Sequence, residues 1–282
     1  MKKLALAVAA TSFLGMGAAH AAPIQIDVST FLAPGTLPGG NYVTNPFGSL
    51  VLEEFNPVSI YTDIDSNGMI NTGDLVTDRS DGWVQVFGFN NPGLNNFQNA
   101  GFGTYWGMQV QWELNGVAFV VGDDYLGAFN SGTVSFEIYK YDNLGNIIAG
   151  SEENALSLDV TSSGVCIPSE GCVEISINAK VDYARPGTFF DFLGRDFADV
   201  LVTDEVIWAF GTDNITGLDN APTQAGCVGV AGTGPDDFCR TTTLENVNIR
   251  FEVPEPTSIA ILGAGLLGMG FAARRRRNNK TA

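Results

Sequence analysis

Histidine is almost missing from this chain of 282 residues, which contains a single one, His20. Ser-His-Asp and Cys-His catalysis, HExxH zinc sites and clustered histidine ligands all require histidine in the working protein. His20 falls in an N-terminal segment that we expect to be removed. The sequence therefore excludes these classes of enzyme and metal site for the rest of the chain.

Basic residues are also scarce, with 14 Lys and Arg against 31 Asp and Glu. Seven of the basic residues lie near the two ends, whereas every acidic residue lies between residues 22 and 256, so that region carries a net charge of −24. Such a charge repels nucleic acid and anionic lipid, and it attracts divalent cations or basic partners. Solubility outside the cell explains the same charge equally well.

The N-terminal segment, residues 1–21, has the three parts of a secretory signal peptide. Lys2 and Lys3 form the charged start, an apolar run covers residues 4–17, and Ala19 and Ala21 supply the small residues of a cleavage site. We expect signal peptidase to cleave after Ala21, which places the mature chain in an exported, oxidising environment.

The C-terminal segment, residues 253–280, also has three parts. A short proline-containing element comes first, and its two prolines prevent helix and sheet from continuing through it. Fifteen uncharged residues (259–273) follow, which as a helix reach roughly 22 Å, less than the roughly 30 Å of a bilayer core. Four arginines then resist translocation. The first and last parts are Val253, Pro254, Glu255, Pro256 and Arg274, Arg275, Arg276, Arg277.

This order of elements resembles the PEP-CTERM sorting signal of Gram-negative bacteria. The resemblance implies processing by exosortase, a membrane cysteine protease, after transient insertion of the C-terminal helix in the inner membrane. Delivery to the cell surface or extracellular matrix then follows. The resemblance divides the chain into a signal peptide (1–21), a secreted domain (22–252) and a sorting signal (253–280). The alternative is an ordinary short C-terminal membrane anchor.

Four cysteines lie in the secreted domain, namely Cys166, Cys172, Cys227 and Cys239. We expect them to be oxidised after export, and four cysteines allow three connectivities. Both sequence-adjacent pairs enclose short loops with Gly and Pro, which favours local pairing of 166 with 172 and of 227 with 239. Without histidine, this spacing is a poor zinc signature.

The secreted domain shows period-two alternation of apolar and polar residues, bounded by Gly, Asn, Asp and Pro. About eleven strands are predicted, without amphipathic helices between the two ends. The pattern indicates an all-β fold, an antiparallel two-sheet sandwich of jelly-roll type, flanked by the signal helix and the short C-terminal hydrophobic helix. The predicted strands are 24–29, 50–55, 58–62, 83–89, 108–114, 117–121, 134–139, 155–160, 173–182, 207–212 and 247–253.

Residues 63–74 match a calcium-binding loop. Oxygen-bearing side chains occupy positions 1, 3, 5, 9 and 12, a backbone carbonyl serves at position 7, and Gly68 stands at position 6. The ending resembles a dockerin-type loop, with Asp in place of Glu at position 12. The alternative is a hairpin turn rich in Asp, Asn and Gly. The predicted Ca²⁺ ligands are Asp63, Asp65, Asn67, Met69, Asn71 and Asp74.

These features predict a non-enzymatic protein of the cell surface or of an exopolysaccharide, biofilm or floc matrix. One alternative is a carbohydrate-binding module, for which Trp106 is the tryptophan to test, although burial in the core is favoured. Another is a polysaccharide hydrolase with paired carboxylates. No motif singles out such a pair among Glu113, Asp123, Asp124 and Glu137.

Overall fold

The computed structural model describes residues 23–52, 56–80, 82–90, 100–165, 174–203, 206–216 and 221–253. The signal peptide, the C-terminal helix and the predicted Cys166–Cys172 pair lie outside these ranges. So does the sorting signal after Val253. Within the described ranges, no helix is long and apolar enough to cross a membrane.

Antiparallel β-strands make up most of the described chain, joined by turns rich in Gly and Asp. One short helix, α1 (Phe197–Val202), begins at Asp196, whose side chain accepts a hydrogen bond from the Ala198 N–H. A 3-10 helix covers Gln224–Cys227. The strands are β1 (Ile24–Ile26), β2 (Ser49–Leu52), β3 (Val58–Thr62), β4 (Leu75–Arg79), β5 (Val84–Asn90), β6 (Trp106–Val121), β7 (Asp124–Lys140), β8 (Glu153–Val165), β9 (Glu174–Ala184), β10 (Phe189–Asp191), β11 (Trp208–Thr216), β12 (Asp237–Thr241) and β13 (Thr243–Glu252).

Eleven of these strands form one sheet, in the order β12-β3-β4-β6-β5-β2-β13-β11-β9-β8-β7, while β1 and β10 form a separate pair. A further pairing joins β7 to β6. The pairings therefore run from β6 through β5, β2, β13, β11, β9, β8 and β7 back to β6. We call these eight strands the closed sheet, and we call the remaining strands β4, β3 and β12 the wing.

The branch between the closed sheet and the wing lies on β6. One edge of β6 pairs with β7 from Trp106 to Val121. The other edge is shared, because β5 pairs near Val110 and β4 pairs from Glu113 to Val117. In this second half the pairing with β7 is interrupted by a bulge on β7, where Asn130 is the extra residue between the partners of Asn115 and Gly116. A bulge bends the strand that carries it and increases its twist, so β7 changes direction where the wing begins.

Aromatic side chains fill the core. Phe47 stacks on Phe89 with ring centroids 4.4 Å apart, and Phe102 meets Trp106 edge-on at 4.9 Å. The indole N–H of Trp106 donates to the Ala100 carbonyl at 2.8 Å, and the residue is fully buried. Trp106 is thus a core residue, and the expectation that favoured burial over ligand contact is correct.

The all-β, antiparallel prediction is confirmed. The division into two sandwiched sheets is not confirmed, because continuous pairings link eleven strands into one sheet. The two predicted strands 108–114 and 117–121 are halves of the single strand β6, which continues past the bulge of β7. Strands β4, β10 and β12 and helix α1 were missed by the sequence reading.

Gly116 is required where β6 and β7 meet. A Cβ at this position would overlap the carbonyl oxygen of Ala128, which belongs to the backbone of β7. We expect Gly116→Ala to lower the free energy of unfolding by about 2 kcal/mol, since overpacked sites cost 1–3 kcal/mol. Urea denaturation of the exported protein measures the change.

Gly211→Ala is the matched control. Its Cβ would lie 3.8 Å from Ile177, an ordinary contact in the interior of β11. Since Gly weakens strand interiors, this substitution should leave stability unchanged or raise it by about 0.5 kcal/mol. Equal losses in the two variants would contradict the tight approach at Gly116.

Candidate functional site

The predicted calcium loop connects two neighbouring strands of the wing. β3 ends at Thr62 and β4 begins at Leu75, and the two strands pair in antiparallel register. Residues 63–74 therefore form a long hairpin connection, with strands on both sides in place of the helices that flank an EF-hand loop. The alternative prediction of a hairpin connection is correct for the backbone. Whether the loop binds a metal depends on its side chains.

The carboxylates of the loop converge on one point. Asp63, Asp65 and Asp74 each offer an oxygen, and these oxygens lie within 4.8 Å of one another. Asp63 and Asp74 are each 4% exposed, whereas Asp65 is exposed. Three carboxylates in so small a volume repel one another, and a bound cation would relieve that repulsion.

Backbone amides hold the two buried carboxylates. Asp63 accepts hydrogen bonds from the N–H of Gly68 at 2.6 Å and of Asn67 at 3.3 Å. Asp74 accepts from the N–H of Asn71 at 2.7 Å and of Ile64 at 3.2 Å. Gly68 has φ of 83°, in the left-handed region that favours glycine.

Two opposing effects act on the pKa of Asp63. Burial raises it, but hydrogen bonds, of which the Gly68 N–H gives the largest contribution, outweigh burial and hold the pKa below its usual range. Asp63 is therefore ionised at neutral pH, as a metal ligand must be.

The remaining predicted ligands bond to one another on the outer side of the loop. Asn67 donates to Asp65 through its side-chain amide at 2.9 Å, and its side-chain oxygen accepts from the Met69 N–H at 2.9 Å. Asn71 donates to the Met69 carbonyl at 3.3 Å. Of the six predicted ligands, the structure thus brings together the oxygens of three carboxylates, and the other three form a local hydrogen-bonded chain.

Neighbouring elements fix both ends of the loop. The Gly73 N–H donates to the Ala118 carbonyl at 2.9 Å, and the Ala118 N–H donates to the Asp74 carbonyl at 2.7 Å. At the other end, the Asp63 N–H donates to the Asp236 carbonyl at 3.1 Å. The backbone at both ends of the loop is therefore hydrogen-bonded to β6 and to the segment that precedes β12. These bonds fix the positions from which the carboxylates converge.

Sequence reasoning missed a polar row that crosses the wing beneath this loop. Arg240 on β12 lies opposite Ser59 on β3, and Ser59 lies opposite Asp78 on β4. The Ser59 hydroxyl donates to Asp78 at 2.7 Å, and the Trp112 indole N–H donates to the other oxygen at 3.0 Å. The row joins residues far apart in the chain, so no local spacing reveals it.

Arg240 connects this row to the β6–β7 hairpin. Its guanidinium donates to the Tyr61 hydroxyl at 2.8 Å and to the Tyr125 carbonyl, near the turn of the hairpin. The Tyr61 and Tyr125 rings meet edge-on, with centroids 6.4 Å apart. Burial raises the pKa of Tyr61 to about 12, so its hydroxyl stays protonated at neutral pH. Arg240 is 6% exposed, and its hydrogen bonds connect β12 to β3 and β7.

The described disulfide lies on the opposite face of the wing. Cys227 and Cys239 are bonded, as predicted. Both sulfurs belong to a small cluster with Ile60, against which Val58 and Val230 pack. The disulfide ties the 3-10 helix to β12.

The polar row makes stability depend on pH in a defined direction. Burial raises the pKa of Asp78 above 3.8, although hydrogen bonds from Trp112 and Ser59 and the charge of Arg240 oppose it. The folded state thus binds a proton more tightly than the unfolded state, and Asp78 reduces stability as pH rises from 3.8 through its folded pKa. We expect Asp78→Asn to remove this decline, measured as the free energy of unfolding from pH 3 to pH 8.

Asp142→Asn is the control of opposite sign. Hydrogen bonds from the backbone and side chain of Asn146 lower the pKa of Asp142. Its contribution is present above pH 3.8 and is lost as pH falls through the folded pKa. Unfolding curves with the same pH slope for both variants would contradict the assignment of Asp78 as a buried carboxylate.

The comparison with known families gives a finding at the C-terminus. The family model of the PEP-CTERM protein-sorting motif matches residues 252–277. Neither a curated protein nor a solved structure matches the chain. The match begins at Glu252, the last residue of β13, so in the sequence the motif continues directly from that strand. The chain therefore carries a PEP-CTERM protein-sorting motif, which implies an exported protein that exosortase sorts to the cell surface.

Proposed function

We propose that this chain is a non-enzymatic protein of the cell surface or extracellular matrix, associated with exopolysaccharide, biofilm or floc. The single observation that carries the proposal is the sorting motif at residues 252–277. Signal peptidase and exosortase remove the two ends, and the β domain between them is the product. The acidic charge of that domain suits a hydrated matrix that contains divalent cations.

The positions of the candidate catalytic acids support a non-enzymatic role. Glu113 lies opposite Thr133, and Glu137 lies opposite Gln109, so the two glutamates are four residues apart along the β6–β7 ladder. Four residues of a strand span about 13 Å, more than the roughly 5–9.5 Å between the carboxyl groups of glycosidases. Asp123 and Asp124 lie farther away, at the hairpin turn.

Calcium binding in the 63–74 loop is the second part of the proposal. Calcium binds oxygens at about 2.3–2.6 Å, so two ligands on opposite sides of the ion are about 5 Å apart. The three carboxylate oxygens of Asp63, Asp65 and Asp74, within 4.8 Å of one another, fit around one such ion. A bound ion would neutralise their repulsion and connect the start of the loop to the start of β4.

A carbohydrate-binding module is the alternative that the structure keeps open. Trp83 and Trp208 are 37% and 39% exposed. Trp83 directly precedes β5 and Trp208 begins β11, with β2 and β13 between these strands in the sheet. Amphipathic aromatic rings of this kind stack on sugars. Retention on an exopolysaccharide column that is lost in Trp83→Ala and Trp208→Ala would support this module. Release of reducing sugar would instead support a hydrolase.

Sorting is tested in the producing cells with the full chain. We expect replacement of Arg274–Arg277 by Gln to reduce delivery to the surface, because the arginines hold the end of the chain on the cytoplasmic side. Replacement of Pro254 and Pro256 by Ala should leave the uncleaved chain in the membrane fraction. Fractionation with mass spectrometry measures both results.

The control for sorting is Arg250→Gln, which removes an exposed positive charge from β13 before the motif begins. This variant should reach the surface normally. Surface material that still contains the peptide around Arg276 would overturn the processing part of the proposal. A deletion of the whole gene that leaves the matrix unchanged in composition and cohesion would overturn the matrix role.

Calcium binding is tested on the exported protein by calorimetry and by thermal melting. With a dissociation constant near 1 mM, which is typical of extracellular modules, 10 mM Ca²⁺ should stabilise the fold by about 1.4 kcal/mol. Asp65→Asn should abolish this gain, since it removes one of the converging charges and keeps the shape of the side chain.

Asp142→Asn serves as the matched control, because Asp142 is a turn carboxylate outside the cluster that also accepts backbone hydrogen bonds. It should respond to Ca²⁺ as the unmodified protein does. No heat of binding at millimolar Ca²⁺, together with an unchanged melting temperature in all three proteins, would refute the metal site.

A further inference from the structure

The outer edge of the wing is covered by a short segment of chain. β12 is the terminal strand of the eleven-stranded sheet. Residues 221–230, which we call the strap, pass along its free side. Thr223 exchanges two backbone hydrogen bonds with Cys239, at 3.0 and 2.9 Å. The strap thus occupies the hydrogen-bonding groups at the centre of the edge strand.

One covalent bond joins the strap to β12. The Cys227–Cys239 disulfide joins its 3-10 helix to the middle of β12. The apolar cluster around the disulfide is small, with Ile60 and the two cysteines as its buried members. Thr223 caps the 3-10 helix by accepting from the Gly226 N–H at 3.0 Å, and Gln224 donates to the Pro235 carbonyl at 3.0 Å. After reduction, the strap would still be held by the two Thr223–Cys239 backbone hydrogen bonds, by the Gln224 hydrogen bond and by the packing of Val230 against the cluster.

An uncovered edge at this place would be able to pair with another strand. The eight strands of the closed sheet return on themselves, so pairing satisfies both edges along much of their length. The wing ends at β12 in a row of backbone groups, and such rows are templates for association. Because Cys239 bonds outward to Thr223, the residues two positions away, Asp237 and Thr241, also direct their backbone groups outward.

The sequence of β12 is compatible with pairing to its own copy. In an antiparallel pair centred on Cys239, Asp237 of one copy lies opposite Thr241 of the other. Phe238 lies opposite Arg240, whose guanidinium stays bonded to Tyr61 and Tyr125 within its own copy. No two like charges face each other in this register, which favours a second copy of this chain as the occupant.

We propose that the strap is a redox-dependent cover of a self-association edge. The cover is closed when Cys227 and Cys239 form a disulfide. When both are thiols, the strap leaves β12, which then pairs with β12 of a second copy. Closure proceeds by thiol–disulfide exchange with an oxidised thiol oxidase outside the cytoplasm. Two thiols of this chain become one disulfide, and the disulfide of the oxidase becomes two thiols. The exported protein is monomeric at this edge, and the reduced protein dimerises.

The test compares two cysteine variants of the exported protein by light scattering coupled to size-exclusion chromatography. Cys227→Ser with Cys239→Ser should double the mass at micromolar concentration, as should the unmodified protein in dithiothreitol. Cys166→Ser with Cys172→Ser, the matched control, should keep the monomer mass because it retains the strap disulfide. Hydrogen exchange should show faster exchange at residue 223 in the Cys227/Cys239 variant, while the amide at 239 stays protected in the dimer.

Thr241→Pro identifies the pairing surface. Proline removes an outward N–H from the exposed edge and is tolerated on edge strands. Added to the Cys227/Cys239 variant, it should restore the monomer mass; alone, it should leave the melting temperature unchanged. Three results would overturn the proposal. These are a folded Cys227/Cys239 variant that stays monomeric, a dimer that Thr241→Pro does not dissociate, and loss of the folded state when the disulfide is absent.

Discussion

The structure depends on the pairing of β6 along both of its edges. β7 follows one edge over its full length, and the other edge is divided between β5 and β4. The pairing of β6 with β5 belongs to the closed sheet, and its pairing with β4 begins the wing. The bulge of β7 at Asn130 and the close approach at Gly116 lie at the point of division. The candidate loop, the polar row and the strap all belong to the wing, so their positions follow from this one strand.

The wing is held by polar contacts as well as by apolar packing. Arg240 binds the Tyr61 hydroxyl and the Tyr125 carbonyl, and Asp78 accepts from Ser59 and Trp112. Buried hydrogen-bonded networks favour one arrangement of their elements, because any other arrangement leaves polar groups unpaired. The carboxylates of the 63–74 loop gain fixed positions from this arrangement, although their own hydrogen bonds are local.

Local patterns in the sequence predicted local features. The strand Val58–Thr62 has the predicted bounds, and the spacing of Asp63, Asp65 and Asp74 anticipated their convergence. β4 was missed because its inward face carries Val76 and then Asp78, and a carboxylate at that position resembles the start of a turn. The Arg240–Ser59–Asp78 row joins residues as much as 181 positions apart in the printed numbering. Only the register of three strands brings them together, and neither composition nor periodicity contains that information.

The place of β13 in the closed sheet has a consequence for biosynthesis. β13 lies between β2 and β11 and is the last strand before the sorting motif. A nascent chain that ends before residue 243 lacks the strand that connects these two partners, so the circuit of pairings stays open. The domain can reach its final form only after residues 243–252 have left the ribosome.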